Sequence, residues 1–157
     1  MDKRETVCTL CPRECKANRK DGKAGFCGVA GDDIYLARAA LHMWEEPCIS
    51  YKNGSGTIFF SYCNLRCVYC QNYDVSRGYG KEVSVERFSE ICLELQEKNV
   101  HNINLVTPTH YVPLIVEGIK KARNMGLNIP VVYNTSGYES VNTIKKLDET
   151  IDIYLTD

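Results

Sequence analysis

The 157-residue chain is 44% apolar and 25% charged with a net charge of −1, the composition of a folded globular domain. That near-neutral balance gives no electrostatic reason to expect nucleic acid or an anionic membrane surface as a partner, and no apolar stretch approaches the roughly 20 residues that span a bilayer. The N-terminal MDKRETVC lacks the apolar core of a signal peptide, so the expected setting is cytoplasmic, where thiols stay reduced and clustered cysteines read as metal ligands rather than disulfides.

Residues 1–56 read as a turn-rich, Cys-rich N-terminal extension. CTLCPREC followed by GFCG places Cys8, Cys11, Cys15 and Cys27 in a C-x2-C-x3-C-x11-C set. Four thiols so close together can staple a segment that has little core of its own. Tetrahedral zinc or an auxiliary iron–sulfur cluster would suit them; the alternative is a reduced, metal-free loop. Arg13, Lys16 and Arg19 would offset thiolate charge. DIYLARAALHMW is the one stretch here with strand character, expected as a strand pair, and KNGSG (52–56) closes the extension.

From residue 57 to 157 the pattern alternates. TIFFSY (57–62) has the apolar, aromatic character of a buried strand. Ser84 is positioned to cap a helix whose apolar face carries Val85, Phe88, Ile91, Cys92 and Leu95, with Glu94 and Lys98 set to pair at i,i+4. Strand NINLV (102–106) follows, then a helix with Pro113 in its first turn, basic residues in its last and Gly126 at its C-terminal cap. IPVVYN (129–134) is the next strand, Ser140 opens a third helix, and IDIYL (151–155) is the fourth strand. This alternation predicts right-handed parallel βαβ units: an α/β fold, a partial (βα) barrel with about four parallel strands. Four such strands make half a barrel, so the chain is expected to be the front part of something longer, with IDIYL as an uncovered edge.

The loop directly behind the first of these strands, SYCNLRCVYCQNY, carries Cys63, Cys67 and Cys70 in a C-x3-C-x2-C spacing. Reactive groups in βα proteins collect on loops at the C-terminal strand ends. Three thiolates can hold three irons of a [4Fe–4S] cluster and leave the fourth open to an exogenous ligand. A structural zinc knot would ordinarily draw its ligands from two separated pairs. Cys92 belongs with the core, and Cys48 has no evident task.

This loop, with Tyr69 just before its last cysteine, resembles the radical S-adenosylmethionine (radical SAM) enzymes. GSGTIFFSYCNLRCVYCQN, TPTHYVP, YNTSGYE and IDIYLTD are similar to the branch related to pyruvate formate-lyase activating enzyme, including the radical SAM member of the AmmeMemoRadiSam system. The resemblance implies a [4Fe–4S] cluster on Cys63, Cys67 and Cys70, with the amino and carboxylate groups of S-adenosylmethionine (SAM) on the unique iron. It further implies reductive cleavage of SAM to a 5′-deoxyadenosyl radical, an electron donor, and a protein or small-molecule substrate. Tyr69, chiefly through its backbone, together with Thr107, Thr109, Asn134 and Ser136, would then contact SAM; no residue is singled out as catalytic. The alternative is a non-catalytic metal-binding module with a structural or partner-binding role.

The chain departs from the family pattern at three places. Tyr62 stands where many relatives have glycine, so a positive φ there would strain it and the local backbone is expected to differ. Thr107-Pro108-Thr109-His110 replaces a G-G-E sequence, leaving uncharged hydroxyls for an ammonium group. Asn134 takes an aspartate's place in a D-T-N-G turn. His110 is expected either to face solvent at a helix N-terminus or to serve the site, and Asp157 falls on the same strand-end rim.

Overall fold

The computed structural model describes residues 7–156; Asp157 lies outside the described residues. In chain order the elements are β1 (Ile34–His42), α1 (Pro47–Ser50), β2 (Ser55–Phe60), α2 (Tyr73–Ser76), β3 (Lys81–Val83), α3 (Val85–Gln96), β4 (Ile103–Val106), α4 (Val112–Asn124), β5 (Val131–Thr135), α5 (Val141–Leu147) and β6 (Ile153–Thr156). They build one mixed six-stranded sheet in the order β3-β1-β2-β4-β5-β6. The four strands expected to be parallel, β2, β4, β5 and β6, are parallel. Each connection steps one strand in the same direction, so right-handed crossovers place α3, α4 and α5 on one face. This is the arrangement of part of a (βα) barrel.

DIYLARAALHMW differs from expectation. It forms a single long strand, β1, paired antiparallel to both β2 and β3. Its hydrogen-bonding partners are remote in sequence, so the β1 stretch does not turn back on itself as a local hairpin would.

The helix-side core follows the apolar spacing. Phe60 packs between Phe88 of α3 and Tyr111 ahead of α4, with ring centroids 6.0 and 5.7 Å away. Ile58, Leu105 and Tyr133, in register on β2, β4 and β5, are completely buried beneath the helices. The Ser84 hydroxyl accepts from the Arg87 amide and caps α3, and Ser140 does the same for α5 with Thr143. Cys92 is core, and burial pushes its thiol up to about 12. Glu94 takes a different partner from the expected Lys98: Arg87, two turns earlier, reaches it at 2.6 Å while also holding Glu90. Arginine's planar fork can serve two carboxylates at once.

Residues of the opposite sheet face alternate with these: Thr57 and Phe59, Asn104 and Val106, Val132 and Asn134. β6 is one of the two edge strands, β3 being the other, and Ile153 and Tyr154 are each 40% exposed.

Candidate functional site

The Cys63–Cys70 loop leaves the C-terminal end of β2, as the βα pattern requires. It is built on a strained residue. Tyr62 takes φ +70°, a left-handed conformation costing a non-glycine residue roughly 1–2 kcal/mol. The backbone therefore keeps the positive φ that glycine would supply, contrary to the expectation that it must differ. Packing holds the tyrosine there. Its ring meets Tyr35 edge-on at 5.7 Å and rests on Gly28 and Gly78, and its amide donates to Val75 O at 2.8 Å.

All three loop cysteines are half-buried. The Leu65 amide donates to Cys63 Sγ at 3.4 Å, and the Cys70 amide closes a turn onto Cys67 O at 3.3 Å. Asn64, fully buried between the first two thiols, donates from Nδ2 to Tyr138 O at 3.0 Å and ties the loop to the segment after β5. Val68 and Tyr69 project outward, each nearly 90% exposed. The donor set is thus three thiols, one of them already taking an amide hydrogen bond. That chemistry fits an iron–sulfur cluster. Among the described residues, no three His, Cys, Asp or Glu side chains are drawn together as a finished metal cage.

Thr107 follows β4 with φ +55°, and its amide donates to Asn134 O at 2.9 Å. These two expected SAM contacts are therefore neighbours on the rim, both half-buried. Thr109 lies elsewhere. It is buried and donates to Glu139 Oε1 at 2.6 Å. The same carboxylate oxygen accepts from Thr135 Oγ1 at 2.5 Å and from the Tyr133 hydroxyl at 3.3 Å. Burial, then the Glu139 charge, pushes the Tyr133 phenol above its ordinary range. Glu139 thus clamps the ends of β4 and β5, a role the sequence reading missed; its only signal was a carboxylate in the first turns after a strand end rich in hydroxyls. Ser136 is exposed.

His110 is fully buried, which overturns the solvent-facing expectation. Its Nε2 donates to Ser61 O at 2.8 Å, immediately upstream of the cysteine loop. Nδ1 therefore carries a bare lone pair, and it has no hydrogen-bond partner. Burial, only partly opposed by the Ser61 carbonyl and reinforced by the Arg19 charge, pushes this imidazole down to about 4.

The four N-terminal thiols, Cys8, Cys11, Cys15 and Cys27, line one concavity together with His110. The sulfurs of Cys15 and Cys27 both lie against Gly25, at 3.1 and 3.6 Å from where a Cβ would sit. Arg19 Nη2 donates to Cys27 Sγ at 3.3 Å and acts electrostatically on Cys8 and Cys15 as well, in the charge-offsetting role expected of it. Burial pushes the Cys8 and Cys27 thiols up; at Cys15, burial is outweighed by amides of Ala17 and Phe26, and its thiol is lowered. Cys48 is exposed and apart from both groups.

Residues 57–156, well over half of the chain and including the entire three-cysteine loop, match the radical SAM superfamily. The chain belongs to the radical SAM superfamily. Membership carries with it a [4Fe–4S] cluster and SAM as cofactors. This radical SAM protein is also similar to two uncharacterized proteins of Methanocaldococcus jannaschii. MJ0674 is 32% identical over 159 residues, covering 96% of this chain and 44% of the relative. MJ0808 is 24% identical over 166 residues, covering 94% of this chain and 48% of the relative. The chain spans about half the length of the curated relatives it matches, and the similarity to them includes the N-terminal segment that the superfamily match leaves out. No solved structure matches the chain. No helix among the described residues is long and apolar enough to cross a membrane.

Proposed function

We propose that this radical SAM protein cleaves SAM reductively and uses the resulting radical for hydrogen abstraction, in the manner of the activating enzymes related to pyruvate formate-lyase activation. The observation that carries this reading is the three-thiol loop at the C-terminal end of β2. Cys63, Cys67 and Cys70 would hold three irons of the cluster. When bound, the cluster would supply one electron, received from an external donor, for reductive cleavage of SAM to methionine and a 5′-deoxyadenosyl radical.

The chain's own residues bind and orient. Thr107 and Asn134, adjacent at the ends of β4 and β5, offer polar groups to the amino acid part of SAM, with Ser136 and Thr109 nearby in sequence on the same two loops. Tyr69 offers its backbone to the adenine. Glu139 orients the Thr109 and Thr135 hydroxyls and so holds the two loops at fixed spacing. The N-terminal thiols hold a second metal. An electron donor must reach the cluster, and the substrate is a protein glycine or a small molecule.

Anaerobic reconstitution followed by reduction tests this reading. We expect a site-differentiated cluster signal by electron paramagnetic resonance that is lost when Cys63, Cys67 and Cys70 are all replaced by alanine, together with release of 5′-deoxyadenosine. Stoichiometric metal without any 5′-deoxyadenosine would favour the non-catalytic metal-binding module instead.

A further inference from the structure

The N-terminal segment between residues 7 and 29 contains no strand and only a single short helical turn at Arg19–Asp21. Its buried apolar side chains are Cys27 and Val29. So small a core cannot order a segment of this length, and such segments rely on staples. Yet the segment makes specific contacts with three strand-end loops. Arg13 Nε donates to Asn64 O at 2.7 Å and Nη2 to Leu65 O at 3.5 Å, inside the three-cysteine loop. Arg19 Nη1 donates to His110 O at 2.5 Å, after β4. Leu10 O accepts from the Ser140 amide and the Thr143 hydroxyl, at the start of α5.

Two hydrogen-bonded anchors straddle Cys63. His110 holds Ser61 on one side, and Arg13 holds Asn64 and Leu65 on the other. Arg13 itself sits between Cys11 and Cys15 in sequence, and its guanidinium stacks 3.6 Å above the Phe26 ring, next to Cys27. Anything that fixes those thiols therefore fixes Arg13. The concavity that the four thiols share is also lined by Arg13, Phe26 and Asn64. Four thiols are the ligand set of a closed tetrahedral zinc site. His110, whose Nδ1 lone pair is buried and unpartnered, lines the same space.

We propose that a single thiophilic metal ion of the zinc type, held by the N-terminal thiols, latches Arg13 against Asn64 and Leu65 and thereby keeps the Cys63–Cys70 loop in its iron-accepting form. The inference rests on the reading of these thiols as a second metal site. Metal binding supplies the ordering free energy that the segment's own core does not. Arg13 transmits that order to the loop through its carbonyl hydrogen bonds.

The test uses the full chain, zinc as the first probe, then ferrous iron with sulfide at limiting iron. Zinc content, iron content and the reduced-cluster signal are read, along with proteolytic cutting between residues 65 and 69. The Cys8→Ser, Cys27→Ser variant should lose zinc and load iron at the Cys63–Cys70 loop about tenfold less well, although Cys63, Cys67 and Cys70 are intact. The Arg13→Met variant retains the apolar stem over Phe26 and all the thiols. It should keep one zinc yet show a similar loss of iron loading and faster cutting of the loop. Parental iron loading in a zinc-binding Arg13→Met protein would overturn the latch while leaving the second metal site standing. A parent protein that takes up no zinc with its thiols reduced would overturn the metal reading itself. Because Arg13→Met removes no thiol, it keeps the test decisive if the double cysteine variant fails to fold.

Discussion

The Tyr62 ring lies across Gly78 so closely that a Cβ at residue 78 would stand 2.5 Å from Cε1 of the tyrosine. Gly28 makes a similar approach at 2.7 Å from Cδ1. Two glycines thus form the seat on which a tyrosine with a left-handed backbone introduces the cysteine loop.

This seat leads to an inverted mutational ranking. Tyr62→Ala keeps the unfavourable φ and loses the ring, an expected cost of about 2–4 kcal/mol. Tyr62→Gly loses the same ring but adopts φ +70° freely, recovering roughly 1 kcal/mol. Urea denaturation should find the glycine variant the more stable of the two. The opposite order would show that residue 62 is not strained.

Glu139 gathers three hydroxyls onto one oxygen, and removing it strands them. Glu139→Ala should cost about 2–3 kcal/mol, because Tyr133, Thr109 and Thr135 are all buried and lose their acceptor together. Glu139→Gln retains a carbonyl acceptor and should cost roughly 1 kcal/mol or less, the loss of charge assistance. Equal stability of the alanine variant and the parent in thermal unfolding would mean that the clamp contributes nothing.

His110 predicts an acid-sensitive fold. The imidazole moves from 6.5 to about 4 on folding, so between these pH values the unfolded chain binds a proton that the folded chain does not. The stability it contributes is complete above pH 6.5 and is lost as pH falls toward 4, by up to about 3 kcal/mol. Denaturant midpoints measured from pH 7.5 to 4.5 should fall more steeply for the parent than for His110→Gln. Parallel curves would remove His110 from the account.

The parallel strands, the three main helices and the loop of three thiols were legible from the sequence, because each rests on short-range regularities. Strand runs, apolar faces and caps such as Ser84 involve residues only a few positions apart, and C-x3-C-x2-C is itself a local spacing. What the spacing could not carry is who meets whom across the sheet. Arg13 reads as a counter-charge for its neighbouring thiols, yet its hydrogen bond goes to Asn64, 51 residues away. Leu10 O is met by Thr143 across 133 residues. His110 stood open between a solvent-facing place at a helix start and a place in the site; burial beneath the N-terminal segment decided against the surface. Glu139 became a clamp only when β4 and β5 came into register and turned three hydroxyls toward one carboxylate. Local free energies set the elements and the thiol loop in sequence, whereas the seat of Tyr62 and the fastening of the N-terminal segment depend on contacts that exist only once the chain has closed on itself.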